Sequence, residues 1–253
     1  MKNNCNKKIA LITGCNGGIG KTICQEFKAA GYLVIGTDLQ EKNETICDLY
    51  LRCDLIELAS DSNIYKWFQD AVCSFIDEQA ADLQAIINNA AYQIVKPLRN
   101  LSISEFHSSQ QINFVAPFVM AKLFDSALRK ANGSIVNIGS IHARLTKPDF
   151  CAYSTSKAAL SGLTRALSME FSGDVIVNTI IPAATKTNML LAGFSEHPGK
   201  FSELESYHPV GRIAEPVEIA RLALFLCSDD ARFITGAEVP IDGGIGSRLH
   251  DPV

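Results

Sequence analysis

The segment Thr13-Gly14-Cys15-Asn16-Gly17-Gly18-Ile19-Gly20 decides how this chain folds. It follows the short apolar run Ile9–Ile12 and leads into an amphipathic stretch, Ile19–Ala30. A strand, a glycine-rich turn and a helix in this order form a unit that binds a pyrophosphate at the glycines and the helix N-terminus. A plain tight turn is the alternative. The residues of this segment expected to bind the cofactor are Gly14, Asn16, Gly18, Ile19 and Gly20.

The same alternation of apolar run and amphipathic stretch continues along the chain. The apolar runs are unbroken, which is typical of strands buried on both faces of a parallel sheet. The later runs are Leu33–Ile35, Leu49–Arg52, Leu83–Ile87, Ser134–Ile138, Val175–Ile181 and Glu238–Ile241. The later helical stretches are Asn63–Gln79, Ser104–Lys130, Tyr153–Phe171 and Pro216–Cys227. The pattern predicts an α/β fold, with one domain over residues 1–253 and a doubly wound parallel sheet of about seven strands in three layers.

Composition excludes several classes of protein. The 253 residues are 47% hydrophobic and 20% charged, unlike a disordered chain. With 23 basic and 27 acidic residues the net charge is −4, which argues against a nucleic-acid partner. No apolar run approaches the ~20 residues that span a bilayer, so no membrane association is expected. The eight cysteines include no Cys-x-x-Cys pair. We therefore expect reduced thiols, a cytoplasmic protein and no bound metal.

Asp38, at the end of the second predicted strand, indicates which dinucleotide is bound. A carboxylate at this position accepts hydrogen bonds from both hydroxyls of an adenosine ribose and repels a 2′-phosphate. The next residues are Leu39 and Gln40, with no arginine, and the glycine turn offers no basic residue. Asp38 and Leu39 are therefore expected at the cofactor, with NAD preferred over NADP. The alternative for Asp38 is a solvated turn residue.

Two further loops follow predicted strands and carry weaker signals. Asp54 and Leu55 come after the third strand, where the carboxylate is suited to the adenine amino group. Asn89 and Ala90 come after the fourth, where a small side chain lets a ribose approach and an asparagine satisfies loop backbone groups. We include all four residues in the expected cofactor site.

Tyr153 and Lys157 open a predicted helix and lie one turn apart on the same face. A free phenol has a pKa near 10, too high for a base at neutral pH. A neighbouring positive charge lowers a pKa by roughly 1–3 units, so Lys157 and a cationic nicotinamide would favour the phenolate. Tyr153 is thus the predicted general acid/base, and Lys157 the residue that lowers its pKa and reaches the nicotinamide ribose.

Ser140 and Asn113 complete the predicted catalytic set. Ser140 ends the fifth strand, at the sheet edge where such folds bind ligands, and is suited to orient a substrate oxygen. Asn113 lies four residues before Pro117, which has no N–H for the Asn113 carbonyl. We expect a kink there that leaves the carbonyl open to a water linking Lys157 to solvent. A kink that serves packing alone is the alternative.

These residues together resemble the short-chain dehydrogenase/reductase family, and the resemblance runs from Lys8 to about Gly244. The matching pieces are Thr13-Gly14-x-x-x-Gly18-x-Gly20, Asp54, Asn88-Asn89-Ala90, Asn113, Ser140, Tyr153-x-x-x-Lys157, Pro182 with Thr187, Gly211-Arg212 and Asp242-Gly243-Gly244. The resemblance implies a seven-stranded Rossmann-type sheet, an Asn–Ser–Tyr–Lys tetrad, and reversible carbonyl/alcohol oxidoreduction with a nicotinamide cofactor. Tetramers are common in the family.

The resemblance also implies that the loop after the sixth strand contacts the nicotinamide carboxamide. The residues expected there are Pro182, Thr185 and Thr187. This chain departs from the family pattern at Ala91 and Ala183, where glycine is usual. Its glycine turn also fits the spacing Gly14-x-x-Gly17-x-x-Gly20 of a longer-chain branch, although the short chain argues against that branch.

Two regions point to partners. The stretch 158–171 carries only two charged residues, Arg165 and Glu170, so the helix needs cover on most sides. It is predicted to form a homo-oligomer interface, in a dimer or tetramer, together with Ser104–Lys130. In family members the stretch matching Asn188–His208 covers the substrate, and here it is partly apolar. Its apolar residues are Met189, Leu190, Leu191, Phe194 and Phe201.

The predicted function is NAD-dependent interconversion of a secondary alcohol and a carbonyl by hydride transfer. Reduction of a 3-oxoacyl thioester in lipid synthesis is an alternative, although Asp38 argues against the NADP that such synthesis usually draws on. A non-catalytic NAD-sensing protein is a second alternative, although it has no need for Tyr153 with Lys157.

Overall fold

The computed structural model describes residues 7–41, 47–194 and 198–249, apart from the side chains of Met189 and Pro198. Within these residues one sheet has seven strands in the order β3-β2-β1-β4-β5-β6-β7, and every neighbouring pair is parallel. The strands are Lys7–Thr13 (β1), Leu33–Asp38 (β2), Leu49–Arg52 (β3), Ala81–Asn88 (β4), Ser134–Ile138 (β5), Ile176–Pro182 (β6) and Glu238–Ile241 (β7). The predicted parallel α/β sheet is confirmed.

Helices cover both faces of the sheet. They are Gly18–Ala29 (α1), Leu55–Ser60 (α2), Ser62–Gln79 (α3), Ile103–Gln110 (α4), Ala116–Leu123 (α5), Asp125–Ala131 (α6), Cys151–Glu170 (α7), Asn188–Ala192 (α8), Pro198–Ser206 (α9) and Pro216–Leu226 (α10). Strand β1 shows why its sequence is apolar throughout. Ile9 and Leu11 belong to the buried cluster formed with α3 and α5, whereas Ala10 and Ile12 belong to the cluster formed with α1 and α10.

The prediction of one helix over Ser104–Lys130 was wrong. The structure divides this region into α4, a π-helical turn at Gln111–Val115, α5 and α6. The amide of Ala116 bonds to the carbonyl of Gln111, five residues back, immediately before Pro117. Because proline supplies no N–H and its ring crowds the preceding turn, the α-helical ladder is interrupted here.

The strand order reverses between β1 and β4, and this places the expected ligand crevice. The chain moves outward from β1 to β2 and β3 on one side, and from β4 to β7 on the other. Ligands of open parallel sheets bind at the carboxyl ends of the strands beside such a reversal. The glycine turn after β1 and the asparagine loop after β4 both lie at this edge.

The excursion Asn188–His208 contains α8 and α9. The rings of Phe194 and Phe201 pack edge to face, with centroids 5.7 Å apart. Residues 195–197 and the side chain of Met189 lie outside the described residues. That the excursion covers a substrate stays a prediction.

Candidate active site

The loop after β4 holds the glycine turn in place by hydrogen bonds and close packing. Gly14 has φ +65°, and a Cβ there would lie 2.8 Å from the Cα of Ala90. The side-chain amide of Asn89 donates to the carbonyls of Thr13 and Gly14, both at 3.0 Å, and the Thr13 hydroxyl accepts from the amides of Asn89 and Ala90. Asn89 and Ala90 therefore brace the turn against which a dinucleotide would lie. This bracing depends on pairing across 76 residues and was not predicted.

The turn has the properties of a pyrophosphate cradle. A Cβ on Gly20 would lie 2.0 Å from the Gly14 carbonyl oxygen, so only glycine allows the helix to approach the turn this closely. Helix α1 begins without a side-chain cap, since its N-cap is Gly17. The Oδ1 atom of Asn16 is buried and has no hydrogen-bond partner among the described residues. The uncapped helix start offers free N–H donors that suit a phosphate, whereas the orphaned amide oxygen of Asn16 needs a donor such as a ribose hydroxyl.

The carboxylate of Asp38 faces the same turn. Its Oδ2 accepts from the amide of Asn16 at 3.0 Å, and its Oδ1 accepts from the amide of Gln40 at 3.2 Å. Each carboxylate oxygen accepts more than one hydrogen bond, so both can still receive a ribose hydroxyl.

Arg52 is a cation near Asp38 that the sequence did not reveal. Arg52 on β3 is the register partner of Asp38 on β2. Its side chain donates hydrogen bonds to the Leu39 carbonyl and to the Glu41 carboxylate. Strand pairing, not sequence adjacency, brings it there.

Asp54 and Leu55 have structural roles at the start of α2. The Asp54 carboxylate caps this helix by accepting from the amide of Ile56 at 2.8 Å, and Leu55 is buried in the core. The predicted contact of Asp54 with an adenine amino group stays a prediction.

Ser140, Tyr153 and Lys157 are brought together at the carboxyl end of β5. Tyr153 is hydrogen-bonded to Ser140, and the Lys157 Nζ lies 5.7 Å from the centre of the Tyr153 ring. Lys157 is 2% exposed, and its Nζ donates to the carbonyl of Ile138 at 2.7 Å. Three of the four predicted catalytic residues thus share one site.

The electrostatics of the pair differ from what the spacing suggested. Burial raises the pKa of Tyr153, and the hydrogen bond with Ser140 lowers it. Burial lowers the pKa of Lys157 to about 7. Without a bound cofactor the phenol is therefore protonated at neutral pH, and about half of the lysine is uncharged. Lys157 is not among the groups that shift the pKa of Tyr153 here, and the predicted lowering by Lys157 together with a cationic nicotinamide stays a prediction.

Ser140 is oriented by the backbone that follows it. Its Oγ accepts from the amide of His142 at 3.2 Å. While Oγ accepts from this amide, the Ser140 hydroxyl hydrogen remains free to be donated to another acceptor, such as Tyr153 or a substrate oxygen.

Asn113 lies in the π-helical turn and is 1% exposed. Its Oδ1 accepts from the amide of Tyr92 at 2.7 Å, and its Nδ2 donates to the Tyr92 carbonyl at 3.0 Å and to the hydroxyl of Ser156 at 2.8 Å. Ser156 lies next to Lys157 on α7. The side chain therefore ties the loop after β4 to the catalytic helix, whereas the predicted water relay from its carbonyl stays a prediction.

The loop after β6 lies against the glycine turn. A Cβ on Gly18 would lie 3.1 Å from the side chain of Thr187. Thr187, expected at the nicotinamide, and Gly18, expected at the pyrophosphate, are therefore neighbours. Pro182 ends β6, and Thr185 is buried and pairs with Ala214. Ala183 does not have a positive φ, so its methyl group is accommodated where the family usually has glycine.

Aromatic residues form one side of the site. The rings of His142 and Phe150 are stacked with centroids 4.3 Å apart, and each is edge-on to Tyr153. Arg144, which follows His142 by two residues, pairs with Glu238 at 2.7 Å. Glu238 also pairs with Arg165, so Arg144 serves to tie the loop to β7.

The chain matches a known family over most of its length. Residues 14–246 match the family described as Enoyl-(Acyl carrier protein) reductase. Protein FixR of Bradyrhizobium diazoefficiens is 35% identical over 94% of this chain and 86% of that protein. The 2,5-dichloro-2,5-cyclohexadiene-1,4-diol dehydrogenase of Sphingobium indicum is 32% identical over 94% of this chain and 96% of its own length. The 3-oxoacyl-(acyl-carrier-protein) reductase FabG of Haemophilus influenzae is 29% identical over 94% and 98%.

Solved structures of dehydrogenases are similar to this chain over nearly its whole length. Thermoplasma acidophilum aldohexose dehydrogenase, in ligand-free form, is similar with a TM-score of 0.89 and 25% identity over 98% of this chain and 97% of that one. The 4-hydroxyisoleucine dehydrogenase complexed with NADH has a TM-score of 0.83 and 28% identity over 96% and 100%. A similar structure from Agrobacterium tumefaciens has NADP bound. Complexes with both nicotinamide dinucleotides thus occur among the similar structures.

Proposed function

We propose, from the premise that this chain belongs to the short-chain dehydrogenase/reductase family, that Tyr153 is the general acid/base of an NAD-dependent reaction at a secondary alcohol or its carbonyl. The chain is an oxidoreductase enzyme that interconverts alcohol and carbonyl with a nicotinamide cofactor. We propose in addition which residues are catalytic, that NAD is preferred over NADP, and that the chain assembles into a homo-oligomer.

One observation carries the catalytic assignment. Tyr153 is hydrogen-bonded to Ser140 and lies beside a buried lysine, at the sheet edge where the glycine turn faces the crevice. Burying a lysine is costly, and a group so placed with a strongly shifted pKa is typical of a functional site.

The side chains divide the work as follows. A bound nicotinamide ring supplies or accepts the hydride. Ser140 donates a hydrogen bond from its hydroxyl to the substrate oxygen while its Oγ accepts from the His142 amide. Tyr153, protonated at neutral pH because burial raises its pKa, gives its proton to the developing alkoxide during reduction. In oxidation Tyr153 takes the proton back, which requires positive charge nearby.

Lys157 supplies part of that charge. With a pKa of about 7 it is charged in about half of the molecules at neutral pH, and its proton is available to replace one taken from Tyr153. The side chain of Asn113 donates to the hydroxyl of Ser156 and so fixes the π-helical turn against α7. We assign to the backbone carbonyl of Asn113 the relay of protons between Lys157 and solvent.

Preference for NAD rests on Asp38. Its Oδ2 accepts from the amide of Asn16 in the glycine turn and its Oδ1 from the amide of Gln40, and each oxygen can still accept a ribose hydroxyl. Arg52 is the nearby cation that would favour a 2′-phosphate, but its side chain is bonded to Leu39 and Glu41. We therefore keep NAD as the preferred cofactor.

The test is a substrate panel of secondary alcohols and ketones followed by NADH absorbance, run in parallel with NADPH. The panel includes sugars, steroids, hydroxy acids and a 3-oxoacyl thioester, because relatives named FabG are similar over nearly the whole chain. Turnover of alcohols or ketones with NAD(H) above NADP(H) is expected. Turnover of the thioester alone, with NADPH, would replace this proposal with the lipid-synthesis alternative.

We also propose a homo-oligomer, a dimer or tetramer, in the cytoplasm. The face of α7 turned away from the sheet bears small or apolar exposed residues, including Ala158, Ala166 and the 69% exposed Met169. Phe118 on α5 is 45% exposed. A face of this kind is suited to close contact with a second copy of the chain.

No helix in the described part of the chain is both long and apolar enough to cross a membrane.

A further inference from the structure

A stacked pair of rings, His142 and Phe150, forms a wall beside the catalytic tyrosine. Their ring planes are within 2° of parallel and their centroids are 4.3 Å apart. The centroids of His142 and Tyr153 are 5.8 Å apart, so one small substrate can touch both rings. Phe150 is buried and is also contacted by the Lys147 ammonium, 4.8 Å from its centroid, whereas His142 is half-buried. The wall is therefore anchored on Phe150, and His142 is its accessible part.

One ring nitrogen of His142 is engaged and the other is available. Nδ1 is hydrogen-bonded to the hydroxyl of Thr146 at 3.2 Å. No hydrogen bond within the described residues involves Nε2, and Nε2 is not among the buried polar atoms that lack a partner. This atom is therefore open to solvent or to a bound molecule on the side of the ring away from Thr146.

The ring is uncharged under ordinary conditions. Burial, and next the positive charge of Lys147, lower the pKa of His142 to about 4. A neutral imidazole has one donor and one acceptor nitrogen, and the Thr146 hydroxyl can satisfy Nδ1 in either tautomer. A carboxylate partner would require an N–H at Nε2, and an ammonium would require a lone pair there. A hydroxyl both donates and accepts, so it fits both tautomers.

We propose that His142 is a specificity-determining residue that hydrogen-bonds a second hydroxyl of the substrate, so that the enzyme acts on diols and polyols in preference to simple alcohols. This inference rests on the function proposed above and narrows its substrate class. A substrate with a single hydroxyl leaves Nε2 without a partner when it displaces water from the wall. Sites that hydrogen-bond a substrate hydroxyl discriminate strongly against analogues that lack it.

The geometry separates this role from catalysis. The contact of residue 142 with Ser140 runs through its backbone amide, so a change of side chain leaves that hydrogen bond in place. His142→Phe keeps a planar ring against Phe150 and Tyr153 and removes only the two nitrogens. His142→Gln removes the ring but places a neutral amide, which donates and accepts, at about the position of Nε2. His107→Phe is the matched control, since His107 is exposed on α4.

The experiment compares kcat/KM for the cis and trans cyclohexane-1,2-diols with that for cyclohexanol, and for butane-2,3-diol with that for butan-2-ol. We expect the wild type and His107→Phe to favour at least one diol over its parent alcohol by about tenfold or more, the worth of one hydrogen bond to a neutral group. In His142→Phe this ratio falls toward one, mainly through KM for the diol, and His142→Gln restores part of it.

Three results would overturn the inference. A wild type that oxidises the parent alcohols without favouring any diol removes it while the proposed function stands. A diol preference that persists in His142→Phe assigns the second hydroxyl to another residue. Absence of turnover with every alcohol of the panel, and with every matching ketone, overturns the proposed function and this inference with it.

Discussion

Replacing the buried lysine with methionine should make the protein more stable and inactive at neutral pH. Lys157 is 2% exposed, and burial lowers its pKa from 10.5 to about 7. Between these two pH values the unfolded chain binds more protons than the folded one, so the stability of the wild type rises with pH across this window. Since one pKa unit is worth about 1.4 kcal/mol, the buried lysine destabilises the fold by roughly 4 kcal/mol at pH 7. Methionine has no such penalty.

The loss of one hydrogen bond offsets part of this gain. The Nζ of Lys157 donates to the Ile138 carbonyl at 2.7 Å, and leaving a buried carbonyl without this donor costs about 1–3 kcal/mol. The net gain for Lys157→Met at pH 7 is therefore about 1–3 kcal/mol, or a rise in melting temperature of roughly 5 °C. Near pH 10 the lysine penalty has fallen to about 1 kcal/mol, so the variant should be no more stable than the wild type.

The assay is urea unfolding of both proteins at pH 7 and pH 10, with NADH-linked turnover of the best panel substrate. Lys122→Met is the control, because Lys122 is an exposed helical lysine and its loss should change stability by less than about 0.5 kcal/mol at either pH. A variant that is less stable than the wild type at pH 7, or a difference that does not change with pH, would refute the view that Lys157 is held in the fold against a desolvation cost.

Three shorter predictions concern the other parts of the site. Asn113→Ala removes hydrogen bonds to the Tyr92 backbone and to Ser156, and should destabilise the protein by about 2–4 kcal/mol and reduce kcat; unchanged urea unfolding would contradict its bridging role. Asp38→Asn removes the charge that repels a 2′-phosphate, and should shift the kcat/KM ratio of NAD to NADP toward NADP by about tenfold or more; an unaltered ratio would show that another group selects the cofactor. Ala158→Arg should lower the mass of the assembly measured by light scattering, and a wild type that is monomeric at micromolar concentration would remove the proposed interface.

Elements whose pattern is local were predicted well from the sequence. The strands were predictable because both faces of each are buried, as the alternating memberships of Ile9 and Ala10 in the two core clusters show. The glycine turn was predictable because its conformation and close packing exclude side chains, as at Gly14 and Gly20.

What the sequence did not reveal depends on contacts between distant residues. Helix α2 is six residues long and lacks a clear period of its own, so only its cap, Asp54, signals it. The π-helical turn breaks a helical periodicity that continues on both sides of Pro117. Arg52 approaches Asp38 only through the pairing of β2 with β3.

The electrostatics of the catalytic pair depend on burial in the same way. The spacing of Tyr153 and Lys157 correctly predicts one helical face, since both lie on α7. It does not predict that the lysine is enclosed, that its Nζ donates to the Ile138 carbonyl, or that burial lowers its own pKa. The sequence therefore predicted that the two residues lie together on one helix, and it did not reveal their protonation states.

The most direct test of the central claim is Tyr153→Phe, measured for both turnover and NADH binding. The phenol is the proposed proton donor and acceptor, and its ring packs edge-on to His142 and Phe150, so phenylalanine should keep the fold and the cofactor site. We expect kcat to fall by about 10²–10⁴-fold while the Kd for NADH, followed by its fluorescence, changes by less than about threefold. Turnover close to that of the wild type, with NADH still bound, would contradict the assignment of Tyr153 as the general acid/base.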